Sequence, residues 1–153
     1  MKRQELMTKY EAYHRQGHLV PAVTLSTFIK SATYAHSDRT RQLWDHHFIR
    51  RVERRLPERA RDKNKIDHDY VMEESPESFW HYHGLLAVPV IFASRFWINN
   101  ALHPRLYGDI YSFRRVGTQR SFKVNEFLIE PVHSVSAWCG YITKQQRRYA
   151  LNT

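Results

Sequence analysis

Two strand-like segments joined by a very short turn restrict the folds that are open to this chain. Residues 67–75 (DHDYVMEES) and 79–88 (FWHYHGLLAV) read as strands, and Ser-Pro-Glu-Ser at 75–78 reads as the turn between them. A connection of this length permits only an antiparallel pair, because parallel strands need a crossover of a dozen or more residues. We therefore predict an antiparallel hairpin here.

The other periodic segments add strands and helices on both sides of the hairpin. The segment before the hairpin is predicted to be a helix, because Trp44, Phe48 and Val52 recur every fourth residue and form an apolar stripe. The further predicted strands span residues 22–28, 109–116 and 121–132, and the predicted helices span residues 37–56, 91–102 and 134–150. Since neighbouring strands are mostly hairpin-linked, we expect an α+β fold with a central antiparallel β-sheet and flanking helices, of ferredoxin-like or RRM-like character.

Length and charge limit both the domain count and the partners. A chain of 153 residues suits one domain, so we treat residues 1–153 as a single domain in which residues 1–18 add a peripheral N-terminal helix. Its 24 Lys and Arg against 15 Asp and Glu give a net charge of +9, which favours nucleic acid as a partner. No apolar stretch approaches the roughly 20 residues that span a bilayer, so we expect no membrane partner. The single cysteine, Cys139, excludes an internal disulfide and a Cys-x-x-Cys zinc ribbon.

His81 and His83 lie two residues apart in the second hairpin strand. Side chains alternate across a strand, so both imidazoles share one face about 7 Å apart and can reach one metal ion. A third ligand is required, and the preceding strand offers Glu73, or Glu74 if the register slips by one residue. Such a set suits Mg²⁺ or Mn²⁺ bound partly through a substrate phosphate, with Zn²⁺ ranked behind them. In a chain with ten histidines, hydrogen-bonded core histidines are the alternative.

Tyr141 lies in the last predicted helix, off the apolar stripe of that helix, and Lys144 follows one turn later. Arg148 continues the same polar face. A phenol is a weak nucleophile until its developing charge is stabilised, and a nearby ammonium group and a metal-bound phosphate both provide that stabilisation. Because the chain has nine tyrosines, a tyrosine that serves only in packing is the alternative.

Together these motifs resemble those of the HUH endonucleases, in which two histidines flank a hydrophobic residue. His-Tyr-His at 81–83 follows an acidic strand residue, and Tyr-x-x-Lys at 141–144 lies on a later helix. The chain is most similar to the single-tyrosine replication initiators of rolling-circle plasmids and of small single-stranded DNA phages and viruses. Residues 22–28 (AVTLSTF) stand where that family has its first, mainly structural motif, and the resemblance covers residues 20–149. Tyr149 lies eight residues beyond Tyr141, so the Tyr-x-x-x-Tyr spacing of the two-tyrosine enzymes is absent.

The resemblance implies an enzyme that nicks and rejoins single-stranded DNA and thereby initiates rolling-circle replication. In that mechanism Tyr141 attacks a phosphodiester beside a metal held by His81, His83 and Glu73, which yields a 5'-phosphotyrosine and a free 3'-OH. Lys144 steadies the charged phosphate or assists phenol ionisation. The implied partners are single-stranded DNA with an origin hairpin and a separate host or replicon helicase, since the sequence has no GxxxxGK[ST] loop. The implied location is the cytoplasm of a bacterial host, or wherever the replicon is replicated.

The predicted strands at 109–116 and 121–132 form a second hairpin, which combines basic and aromatic residues. This composition predicts a surface that binds DNA, although solvated basic faces have the same composition. The candidate phosphate-binding residues are Arg114, Arg115, Arg120, Lys123 and Arg148, and the candidate stacking residues are Tyr107, Tyr111 and Phe113.

Three other functions remain open from the sequence. A single-tyrosine transposase of the same superfamily would act on hairpin-ended transposon DNA. A non-catalytic RRM-like module would bind nucleic acid in the presence of EDTA and form no covalent adduct. A metal phosphoesterase with water as its nucleophile would not need Tyr141. The substrate, the adduct and the role of the tyrosine distinguish these possibilities.

Overall fold

The computed structural model describes residues 3–54, 66–92, 124–132 and 134–144, and all structural statements below concern them. In chain order the elements are α1 (Arg3–Arg15), β1 (Pro21–Ile29), α2 (Ala32–Ala35), α3 (Asp38–Gln42), a π-helix (Leu43–Ile49), α4 (Arg50–Arg54), β2 (Asp67–Glu74), β3 (Trp80–Ala87), a 3-10 helix (Val90–Phe92), β4 (Val124–Pro131) and α5 (Val135–Ile142). No helix among these is long and apolar enough to cross a membrane.

The four strands form one antiparallel sheet in the order β2-β3-β1-β4. The predicted hairpin and the α+β class are confirmed, and the strand order is compatible with a ferredoxin-like arrangement. Ser78, with a φ of 66°, and a hydrogen bond from the Ser75 amide to the Phe79 carbonyl close the hairpin turn. The predicted strand at 109–116 and most of the helix at 91–102 lie outside the described residues.

One face of the sheet packs against the helical segment that follows β1. Trp44, Phe48 and Val52 are all buried there, which confirms the predicted apolar stripe. The Trp44 ring stacks on Tyr82 of β3 with 5.6 Å between ring centroids. The predicted single helix at 37–56 is instead α3, the π-helix and α4 in direct succession. Ser37 occupies the N-cap position, but its hydroxyl donates to the Tyr34 carbonyl rather than capping the helix.

The opposite face of the sheet packs against α1 and α5. Leu6 and Tyr10 of α1 are buried in one cluster with Leu85 of β3 and with Cys139 and Ile142 of α5. Through these two residues the predicted N-terminal helix contributes to the core on this side of the sheet. Its apolar residues stand one turn apart, and their burial makes α1 part of the second core.

Candidate active site

Glu73, His81 and His83 come together on the face of the sheet that α1 and α5 cover. The register places Glu73 directly opposite His81, as predicted, and strand alternation adds His83 to the same face. Glu73 Oε2 lies 2.7 Å from His83 Nε2 and 3.8 Å from His81 Nε2. One ligand atom from each residue lies within 4.8 Å of the others. This group can hold a divalent metal ion.

The burial of these ligand atoms and their lack of aligned hydrogen-bond partners are what a cation-binding site would show. Glu73 and His83 are each only 5% exposed. Although Glu73 Oε2 and His83 Nε2 are close, neither has an aligned hydrogen-bond partner among the described residues. Buried polar atoms are normally paired. Two atoms that bind one ion at right angles, each about 2.1 Å from it, are about 3 Å apart, which is close to the spacing found here.

His83 is in the protonation state that metal binding requires. Burial, together with the nearby His81 and Lys144, lowers the pKa of His83 to about 3. The imidazole is therefore neutral at neutral pH. Its Nδ1 lies 3.1 Å from the Thr24 hydroxyl, which can accept a hydrogen bond from Nδ1–H and leave the lone pair of Nε2 toward Glu73.

Glu74, the alternative third ligand, is not part of this group. It pairs with Trp80 across the hairpin, so its side chain projects from the other face of the sheet. The hairpin turn decides this register, because its closing bond at Ser75 and Phe79 leaves Glu73 opposite His81. Glu73 is therefore the carboxylate that the fold brings to the histidines.

Tyr141 of α5 lies beside the same group. Its ring centroid is 5.6 Å from that of His83, and the residue is 47% exposed, so solvent reaches it. Trp138 stacks on Tyr141 with 5.5 Å between centroids and an interplanar angle of 22°. The indole of Trp138 also donates to the Gly84 carbonyl of β3 at 3.1 Å. This bond ties the tyrosine-bearing face of α5 to the strand that carries both histidines.

Lys144 bridges the acidic and phenolic side chains. Its Nζ lies 2.9 Å from Glu73 Oε1 and 3.9 Å from the centroid of the Tyr141 ring. The hydrogen bond to Glu73 is the largest cause that raises the pKa of Lys144, so the group stays an ammonium ion. Lys144 engages the outer oxygen of the carboxylate, which leaves Oε2 directed at the histidines.

Two contributors to the site were not assigned from the sequence. Thr24 orients His83 only because β1 pairs with β3, and Thr24 stands directly opposite His83 in that pairing. Trp138 lies in the last predicted helix and was not assigned to the site, yet its ring packs against those of both His83 and Tyr141, with 5.5 Å between centroids in each pair. Trp138 could have been assigned to the site from the sequence, because it precedes Tyr141 of the Tyr-x-x-Lys motif by one helical turn.

The predicted DNA-binding surface is not among the described residues. Its basic side chains, Arg114, Arg115, Arg120, Lys123 and Arg148, lie outside the described ranges, as do Tyr107, Tyr111 and Phe113. Their role stays a prediction.

Comparison of the chain with protein-family models, with curated proteins and with solved structures finds no match. The resemblance to the HUH endonucleases therefore rests on the motifs in this sequence and stays a prediction.

Proposed function

We propose that this protein is a metal-dependent endonuclease that nicks and rejoins single-stranded DNA with Tyr141 as its nucleophile. One observation carries the proposal: a solvent-accessible phenol, an ammonium group and a carboxylate with two imidazoles meet on one sheet face. Tyr141 contacts His83, and Lys144 joins Tyr141 to Glu73. The set of side chains that such a transesterification needs thus comes from three elements, β2, β3 and α5.

The reaction exchanges one phosphoester for another. The Tyr141 oxygen forms a bond to phosphorus while the bond from phosphorus to the 3' oxygen breaks. The phenol proton is lost and the departing 3' oxygen gains one, so the products are a 5'-phosphotyrosine and a 3'-OH. Because the number of phosphoester bonds is unchanged, attack by the 3'-OH rejoins the strand without an external energy source.

Each side chain of the site has a role in this reaction. His81, His83 and Glu73 would hold the cation, and Mg²⁺ or Mn²⁺, ranked before Zn²⁺, would supply Lewis acidity and position the phosphate. Lys144 stabilises negative charge on the phenol and on the phosphate. Trp138 holds the Tyr141 ring against the histidine strand through its bond to Gly84.

The proposed substrate is single-stranded DNA at an origin hairpin, and the proposed role is initiation of rolling-circle replication with a separate helicase. A net charge of +9 favours such a polyanion. A transposase would perform the same chemistry on hairpin-ended transposon DNA, so the choice of oligonucleotide distinguishes the two roles.

Tyr141→Phe tests the proposal. Labelled origin or transposon-end single strands are incubated with Mn²⁺ and resolved by denaturing electrophoresis. We expect the wild-type protein to give a covalent protein–DNA adduct that EDTA prevents, and Tyr141→Phe to give neither adduct nor nick while binding the strand nearly as well. Tyr13→Phe is the matched control, because Tyr13 bonds to Asp67 away from the histidines. Undiminished nicking by Tyr141→Phe would refute the assignment.

A further inference from the structure

An aromatic pair of one exposed ring, Phe28, and one half-buried ring, Phe79, lies beyond His81 in the candidate site. Phe79 lies in the hairpin turn immediately before β3, two residues before His81. Its ring meets that of Phe28 edge-to-face, with 5.6 Å between centroids. Phe28 is 38% exposed, and Lys30 places its Nζ 5.3 Å from the Phe79 ring. The surface therefore combines open aromatic area with a positive charge.

Phe28 faces outward because the side-chain alternation of β1 continues through it: residues 23, 25, 27 and 29 are buried, and Phe28 is exposed on the other face. The pairing with β3 runs from Ser26 opposite His81 to Ile29 opposite Trp80, so β1 has extra residues between these pairs. Thr27 is buried there and bonds through its hydroxyl to the Trp80 carbonyl and the Ile29 amide. Ser26 stands opposite His81, so Phe28, two residues further along β1, lies exposed on the same face as the cation-binding group.

We propose that Phe28 and Phe79 form a stacking site for an unpaired base one nucleotide from the scissile phosphate, with Lys30 contacting the backbone of the same strand. This inference rests on the proposed function. Phe79 lies two residues before His81, a span of about 7 Å in extended chain, which is within reach of a single nucleotide. Aromatic rings bind bases of any sequence, because every base has a π-face, and an adjacent cation adds attraction for phosphate.

The test separates base contacts from backbone contacts in metal-free buffer with EDTA. Fluorescence anisotropy gives the affinity of the full-length protein for a short oligothymidylate and for a deoxyribose-phosphate strand of the same length without bases. We expect Phe28→Ala to weaken thymidylate binding about tenfold and to leave binding of the abasic strand unchanged. Phe28→Trp should retain the preference for bases. Ile91→Ala, which removes another exposed apolar side chain, is the control and should change neither affinity.

Two results would overturn the stacking site: wild-type affinity of Phe28→Ala for both strands, or an equal loss for both, since stacking acts only on bases. If either occurs while the wild-type protein still forms its Tyr141 adduct, the stacking site fails and the proposed function stands. Absence of binding to both strands by the wild-type protein would overturn the stacking site and the DNA substrate together.

Discussion

Glu73 contacts three side chains with different roles, and each of its oxygens has a separate task. Oε2 faces the imidazoles of His81 and His83, and Oε1 accepts the ion pair from Lys144. A carboxylate with its outer oxygen held in this way is oriented before any cation arrives. Such hydrogen bonds to metal-binding carboxylates commonly raise affinity and set geometry.

Neutralising this carboxylate should remove the cation site. We expect Glu73→Gln to weaken Mn²⁺ binding at least about tenfold, because the group of Glu73, His81 and His83 loses its negatively charged member. Glu74→Gln is a matched control, since Glu74 is adjacent in sequence and projects from the opposite face. Isothermal titration calorimetry measures both variants. Equal Mn²⁺ affinity in Glu73→Gln and in the wild-type protein would contradict the site.

His83 should make the metal-free fold sensitive to mild acid. The pKa of His83 is lowered from 6.5 to about 3 in the folded protein. Between these values the unfolded chain binds a proton that the folded chain does not, so stability is full above pH 6.5 and is lost as the pH falls toward 3. We expect the free energy of unfolding to drop by about 1.4 kcal/mol from pH 7.5 to pH 5.5 through this group.

Urea unfolding in EDTA at the two pH values measures this drop. His83→Gln should reduce it, because the substituted side chain does not titrate. His14→Gln, on the exposed part of α1, is the control. An identical pH dependence in His83→Gln and wild-type protein would contradict the prediction.

At the level of the elements, β3 is the strand on which both cores and the site converge. Its histidines face α5, while Trp80 and Tyr82 face the helices on the other side. Gly84 is the point of closest approach: a Cβ there would lie 2.5 Å from the Trp44 ring and 2.8 Å from the Asp69 carbonyl. The absence of a side chain at this position lets Trp44 pack directly onto the strand.

Filling this position should destabilise the sheet. We expect Gly84→Ala to lower the free energy of unfolding by about 1–3 kcal/mol, because Trp44 must move within a packed core. Gly140→Ala is the matched control in α5, where the nearest atoms belong to the flexible side chain of Arg3 at 3.4 Å. Alanine favours the helix, so this variant should be neutral or more stable by up to about 1 kcal/mol. Urea unfolding of both variants checks the prediction, and equal stability would contradict it.

For the molecule as a whole, the charge of +9 makes electrostatics the long-range determinant of binding. We expect affinity for a single strand to fall at least about tenfold between 50 and 200 mM salt, because each phosphate contact releases counterions. Anisotropy titrations at several salt concentrations measure the slope. A flat response would argue against binding led by phosphate contacts.

Local features of the chain were sufficient to predict the hairpin and most of the cation-binding group. The period-2 alternation places His81 and His83 on one face, and the turn of four residues brings one of the two glutamates, Glu73 or Glu74, to that face. The choice between Glu73 and Glu74 needed the structure, because one residue of register reverses the face and the turn geometry sets that register. The predicted basic surface at 114–123 lies outside the described residues.

The amino-acid sequence alone determined the strand pairing of β2 and β3, the apolar stripe at Trp44, Phe48 and Val52, and the presence of a Tyr-x-x-Lys segment on a helix. Tertiary structure alone decided that α5 packs on the histidine face, which brings Tyr141 and Lys144 to Glu73, and that β1 lies beside β3, which adds Thr24 and Phe28. It also decided that one face of α1, with Leu6 and Tyr10, is buried. The physical reason is the separation in sequence of the residues involved. Alternation and helical spacing are properties of one segment, whereas these contacts join residues far apart in the chain and depend on how the whole fold packs.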